Sequence, residues 1–305
     1  EDYNTPIRLV SKQGQSKPKT VYGSNAQQAD FLQERMEIVQ YLSPVGTPLN
    51  GLLYYPANFE RGNQYPMIVN VYEVQSKDRF VYINPTVYNS NGFNISNLTA
   101  KGYFVLLPDT VFETPATGDC ALHCVEAAVA TVLKLGDVDA KRIGLIGHSF
   151  GGFETDYILT KSNLFACAVA GAAITNFVSA AHAVAPSVNK PNFFKIENAQ
   201  ARMNGSLFEE KQRYLESSPL FFADGVQTPL LSWTGANDPQ VLPTQTMEFY
   251  MALRRLGRKH IMLVYPNEGH DLHGKMADAD LTKKIESWFD YYLKGGPLQD
   301  WMNAR

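Results

Sequence analysis

Disulfide chemistry has little to work with in this sequence. Three cysteines among 305 residues are too few for a covalent framework. No apolar run approaches the length of a membrane span, so a membrane-embedded chain is not expected. Basic runs are missing too. With a formal net charge of −3 and no cluster of Lys or Arg, neither nucleic acid nor an anionic membrane surface is an expected partner. Internal repeats and low-complexity tracts are absent. What remains is 45% apolar, enough for a substantial core, at a length that suits one large α/β domain with or without a small appendage. A start at Glu1 without methionine fits a trimmed product, and periplasmic, secreted and cytoplasmic placements are all compatible with it.

One stretch organises the rest: Gly147-His148-Ser149-Phe150-Gly151-Gly152. It follows the apolar run Arg142-Ile143-Gly144-Leu145-Ile146 and precedes a helical pattern from Phe153 to Lys161. Strand, Gly-x-Ser-x-Gly and helix in that order form a nucleophile elbow. The spacing has a steric reason. The serine sits in strained backbone on a very tight turn, where the residues two before and two after it press together and only glycine fits. The strain lifts the hydroxyl clear of the sheet. It also aims the amide of Phe150 and the start of the helix dipole at one point, where an oxyanion can form.

Along the chain, Ile7–Val10 and Lys19–Tyr22 read as two short strands in a polar, turn-rich opening segment of about 35 residues. That segment is expected to be a strap on the main domain or an edge that pairs elsewhere. Residues 36–305 are expected to form the main domain. Met36–Leu42 and Leu49–Tyr55 read as an antiparallel hairpin, and Pro66–Tyr72 as a strand buried on both faces. From there strands alternate with helices: Ser96–Ala100, Tyr103–Leu107, Asp119–Leu135, the elbow, Phe165–Ala170, Pro229–Trp233, Thr244–Leu256, Ile261–Tyr265 and Asp280–Leu293. Residues 176–220 lack a clean period and are expected to roof the site with short helices. The pattern predicts an α/β fold of the α/β-hydrolase type, a mostly parallel central sheet with helices on both faces.

A serine hydroxyl is a weak nucleophile and needs a base, which in turn needs an orienting carboxylate. In this fold the acid and then the histidine follow the serine, each on a loop after a later strand. The loop after 229–233 carries Asp238, and the loop after 261–265 carries His270. Asp224 falls before its strand, at the wrong end of the sheet, and Asn237 carries no charge. His273 reads as a surface neighbour of His270. His148 is expected to point elsewhere on the tight turn, and His123, His182 and His260 hold no comparable loop position. Cys120, His123 and Cys124 could bind zinc but lack a fourth ligand nearby. Buried thiols on a helix face are expected instead, with no metal and no cofactor.

The sequence resembles the catalytic domain of the prolyl oligopeptidase family of serine peptidases. The matching residues are Val138-Asp139-Ala140-Lys141-Arg142-Ile143 leading into the elbow, Gly235-Ala236-Asn237-Asp238-Pro239-Gln240-Val241, and Glu268-Gly269-His270. Leu52-Leu53-Tyr54-Tyr55-Pro56 before Tyr65-Pro66 is similar too. The resemblance implies Ser149 as nucleophile, Asp238 as orienter and His270 as base. It implies Tyr72, at the end of its strand, as a second oxyanion donor through its hydroxyl. Family members often continue there with Gly-Gly-Pro or Gly-Pro, where this chain reads Tyr72-Glu73-Val74-Gln75-Ser76. Relatives usually carry a β-propeller ahead of the hydrolase domain. Residues 1–35 resemble the tail of a last propeller blade, so a truncated or processed catalytic domain is expected. The expected activity is hydrolysis of oligopeptides through an acyl-enzyme, with Phe177 and Val241 walling the pocket before the scissile bond. A carboxylesterase with the same triad and a non-catalytic binding module are the alternatives.

Overall fold

The computed structural model describes residues 3–25, 35–112, 116–186 and 189–303. Its centre is an eight-stranded sheet. The strands are β3 (Met36–Leu42), β4 (Pro48–Tyr54), β5 (Tyr65–Asn70), β6 (Phe104–Pro108), β7 (Val138–His148), β8 (Cys167–Gly171), β11 (Leu230–Gly235) and β12 (His260–Tyr265). Their spatial order is β12-β11-β8-β7-β5-β6-β4-β3. β3 pairs antiparallel with β4, and β4 antiparallel with β6; every other pairing is parallel. The expected opening hairpin and mostly parallel sheet are both present.

Alternation along the strands sends neighbouring side chains to opposite faces. Met67, Val69, Phe104 and Leu106 join one buried cluster, with Val125, Val129, Ile158 and Phe249 from helices α2 (Thr117–Leu133), α3 (Phe150–Lys161) and α7 (Pro243–Arg255). Ile68, Val105 and Leu107 join the other, with Ile95 and Leu98 of α1 (Ile95–Ala100) and Leu281, Ile285 and Trp288 of α8 (Lys275–Lys294). A sheet clad on both faces explains why its strands read as continuous apolar runs. α8 begins five residues before its expected start at Asp280, because its first turn carries no apolar stripe: Met276 is 87% exposed.

Residues after β8 form a roof built on α4 (Phe177–Ala181), the small ribbon β9 (Val184–Ala185) and β10 (Lys190–Pro191), α5 (Phe193–Asn198) and α6 (Lys211–Glu216). Phe177, Ile196, Met203 and Tyr214 of this segment pack on Phe150 and Phe153 of α3. The roof therefore rests on the start of the elbow helix. In the opening segment, β1 (Arg8–Ser11) and β2 (Lys19–Gly23) pair antiparallel, fully exposed and separate from the large sheet. Tyr3 ties this segment down, stacking edge-on to Tyr54 at 5.9 Å and accepting a hydrogen bond from the Met36 amide. Residues 1–2 and 26–34 of the expected strap lie outside the described residues.

Candidate active site

Ser149 joins β7 to α3 with φ 60° and ψ −117°, a conformation L-residues rarely adopt. A Cβ built on Gly147 would lie 2.0 Å from the Gly151 carbonyl oxygen, and one on Gly151 would lie 2.2 Å from that of Val71. Backbone contact this close is what the two glycines permit. Phe150 is the first residue of α3, so helix geometry leaves its amide without an intrahelical partner.

The sequence places Asp238 and His270 far from Ser149, and the parallel strands bring all three to one rim. His270 Nδ1 lies 2.8 Å from Asp238 Oδ2, and His270 Nε2 lies 2.7 Å from Ser149 Oγ. The carboxylate only accepts, so Nδ1 carries the proton and Nε2 offers its lone pair to the serine hydroxyl. Asp238 is 3% exposed, and its other oxygen accepts from the amides of Gln240 and Val241 at 2.8 and 3.0 Å. Three donors thus fix the carboxylate. The two loops touch backbone to backbone: a Cβ on Gly235 would lie 2.1 Å from the Gly269 oxygen. Glu268 accepts from the His273 and Gly274 amides, closing the turn that follows His270.

Tyr72 lines the same open cleft as Ser149 and His270, a space of about 520 Å³. Its ring stands edge-on to Phe150 at 6.4 Å. Its hydroxyl oxygen accepts from Gln200 Nε2 at 3.3 Å, which leaves the hydroxyl hydrogen to donate elsewhere. Asp109 shapes the segment that follows Tyr72. Its carboxylate accepts from the amides of Gln75 and Ser76 at 2.7 and 2.8 Å and from Ser76 Oγ at 2.6 Å. Thr110 donates to the Tyr72 carbonyl at 2.5 Å, and Arg202 pairs with Glu73 at 2.9 Å. Sequence reasoning assigned no role to Asp109. The available signal was an acid directly after a buried apolar strand, at the carboxyl end of the sheet.

Below Thr110 lies Glu154, completely buried, whose carboxyl burial pushes well above the usual range. Asp156, two residues further along α3 and so on its opposite side, is likewise pushed up by burial. Burial thus disfavours the charged form of both.

His148 departs from its expected orientation. Instead of pointing elsewhere, its ring lies 4.8 Å from that of His270, and its Nε2 donates to the His270 carbonyl at 2.9 Å. The reason is Trp233, on which the imidazole lies flat at 5.1 Å. Cys120 and Cys124 are buried on α2, while His123 between them is exposed. Among the described residues, no group of three or more His, Cys, Asp or Glu is arranged to hold a metal ion.

Phe177 is fully buried, edge-on to Phe153 at 4.9 Å, and walls a small cavity together with Phe150. Val241 walls a second small cavity beside it. Neither borders the open cleft; Gln240 borders all three spaces.

A mostly parallel sheet, a strained serine at the strand-to-helix turn and an acid and histidine on later loops define an α/β-hydrolase. Residues 117–296 match the model of the prolyl oligopeptidase family, more than half of the chain, and the chain belongs to that family. It is 27% identical over 277 residues to the uncharacterized peptidase YuxL of Bacillus subtilis, covering 84% of this chain and 39% of that protein. It is 25% identical over 264 residues to the acylamino-acid-releasing enzyme of Rattus norvegicus, covering 84% and 35%. The Pyrococcus horikoshii acylaminoacyl peptidase superposes with a TM-score of 0.76 at 19% identity, over 98% of this chain and 48% of that one. The chain thus spans less than half the length of each of these proteins.

Proposed function

We propose that this chain is the catalytic part of a serine peptidase that hydrolyses oligopeptides through Ser149, His270 and Asp238. The observation that carries the reading is the continuous run of hydrogen bonds from Asp238 through His270 to Ser149 Oγ, at 2.8 and 2.7 Å, on the rim of an open cleft. His270 Nε2 takes the hydroxyl proton as Ser149 Oγ bonds to the peptide carbonyl carbon. The amide of Phe150 and the hydroxyl of Tyr72 hold the resulting oxyanion. His270 returns the proton to the leaving nitrogen, the C–N bond breaks, and an acyl-serine remains. Water, deprotonated by His270, then releases the acid and restores the serine.

A peptide rather than a short ester is supported by the cleft itself. Asn70 and Asn91 are among the polar residues that line it, and a peptide backbone needs such hydrogen-bonding partners. The exposed ribbon of β1 and β2, with Ile7, Leu9 and Tyr22 each more than 60% exposed, supports a second proposal. The ribbon of β1 and β2 is the edge of a neighbouring propeller domain, and the domain from residue 36 onward is the hydrolase.

The test is labelling of Ser149 by a fluorophosphonate, then turnover of a peptide anilide against a short acyl ester. Labelling with efficient anilide turnover, both lost in Ser149→Ala, is expected. Loss of His270 should cost on the order of 10⁶ in turnover. Tyr72→Phe should cost about 10² in kcat if its hydroxyl is an oxyanion donor. Ester turnover without anilide turnover would favour a carboxylesterase, and failure to label would favour a binding module.

A further inference from the structure

The two oxyanion donors of the mechanism above come from different elements. Phe150 opens α3, whereas Tyr72 stands in the loop just past the end of β5, with its side chain exposed. Loop backbone is more mobile than the elements it joins, so the Tyr72 hydroxyl stays in register with the Phe150 amide only if its segment is tied down. Thr110 makes that tie. Its amide donates to the Glu73 carbonyl at 3.1 Å, and its hydroxyl donates to the Tyr72 carbonyl at 2.5 Å. Thr110 Oγ1 also lies 3.2 Å from Glu154 Oε1. Glu154 belongs to α3 and follows Phe150 by four residues, about one helical turn.

The hydrogens in this chain can be counted. Thr110 and Glu154 are both buried, and a hydroxyl has a single hydrogen. The Tyr72 carbonyl only accepts, so the Thr110 hydrogen lies on that side, across the shorter of the two contacts. The contact to Glu154 is then a hydrogen bond only if the carboxyl supplies the hydrogen, as its protonated form does. An ionised carboxylate would accept instead and compete with the Tyr72 carbonyl for the one hydrogen. Glu154 Oε2 is buried with no hydrogen-bond partner among the described residues, which costs a charged carboxylate far more than a neutral acid. Burial raises this carboxyl well above its usual range, in the same sense.

We propose that Glu154 is a positioning residue for the oxyanion site: as a neutral acid it donates to Thr110, whose hydroxyl donates to the Tyr72 carbonyl, so that α3 sets both the Phe150 amide and the Tyr72 side chain. The proposal rests on the peptidase reading above and on Tyr72 as an oxyanion donor. Neither Glu154 nor Thr110 borders the open cleft, so both act through Tyr72 rather than on the substrate.

The experiment uses the whole chain and a peptide anilide. Glu154→Leu removes the donor at similar size, and Glu154→Gln keeps an N–H in its place. Glu154→Leu should lower kcat about tenfold with KM little changed, since a displaced oxyanion donor is missed in the transition state and not in the ground state. Glu154→Gln should recover most of that loss. In a Tyr72→Phe background, where the hydroxyl is already gone, Glu154→Leu should cost less than about twofold more, whereas lost packing alone would cost the same in both backgrounds. Thr110→Val, which leaves α3 untouched, should show the same loss and the same coupling to Tyr72→Phe. The infrared difference spectrum of wild type against Glu154→Gln at neutral pH should carry the band of a carboxylic acid. A carboxylate band, an unchanged kcat in Glu154→Leu, equal losses in Glu154→Gln and Glu154→Leu, or a loss undiminished in the Tyr72→Phe background overturns the proposal alone. A Tyr72→Phe variant with full kcat overturns Tyr72 as a donor, and failure of Ser149 to label overturns the peptidase reading; this proposal falls with either.

Discussion

The carbonyl oxygen of His270 accepts a hydrogen bond from His148 Nε2 at 2.9 Å, so the residue before Ser149 holds the backbone of the residue that faces it. A carbonyl only accepts, which places the His148 proton on Nε2 and leaves Nδ1 bare. Burial, followed by the nearby His270, lowers the His148 pKa, so this imidazole is neutral and holds its donor through the neutral range.

His148 therefore acts as a positioning residue. His148→Ala should lower kcat about tenfold while KM changes little, since misplacement of a reacting group by a fraction of an ångström costs turnover more than binding. His148→Gln, which keeps an N–H donor, should recover part of the loss. An unchanged kcat in the alanine variant would sink this role.

Strain at Ser149 should be measurable as stability. Backbone held in such a sparsely populated region costs about 1–3 kcal/mol, and glycine avoids that cost at an entropic penalty of about 0.5–1 kcal/mol. Ser149→Gly should thus unfold at higher denaturant than Ser149→Ala, although both lack the hydroxyl. Equal midpoints would mean that the turn is not strained.

The contact between the acid and base loops makes a sharper demand. A methyl group on Gly235 would meet the Gly269 and Glu268 carbonyl oxygens at 2.1 and 2.4 Å, so one loop must move. Gly235→Ala is expected to destabilise by roughly 3 kcal/mol, and to slow turnover by separating Asp238 from His270. Gly23→Ala, with nothing within 4 Å, is the matched control and should be nearly neutral. Similar melting curves for the two variants would refute the close contact.

Acid sensitivity should arise partly at His260. This residue sits at the start of β12 with Nε2 2.7 Å from Ser232 Oγ, and burial lowers its pKa from 6.5 to about 3. The unfolded chain binds a proton there below pH 6.5 and the folded chain does not. The stability this group contributes is complete above 6.5 and is lost as pH falls from 6.5 toward about 3. Melting temperature should therefore drop more steeply between about pH 7 and pH 5 in the wild type than in His260→Gln. Parallel slopes would exclude His260 as a contributor.

Much of the fold was legible because its signals are local. The strand Met36–Leu42 was read to the residue, and β5, β6 and β12 to within one or two, from continuous apolar runs bounded by Gly, Pro and charge. Ser149 was legible because steric crowding at a strand-to-helix turn dictates glycines at fixed offsets. Asp238 and His270 were legible because the parallel order sends successive loops to the same edge. The ends of α8 and α2 were less so, since a first or last turn carries too little apolar pattern to mark it.

By itself the sequence determined which segments are strands and helices, and where Ser149, Asp238 and His270 stand along them. Folding alone decided that His148 would lie on Trp233 and hold His270, and that Asp109 would clamp the segment after Tyr72. The division follows from range. Secondary structure answers to neighbours a few residues away. These pairings join groups dozens of residues apart, whose meeting depends on how the sheet and its roof pack.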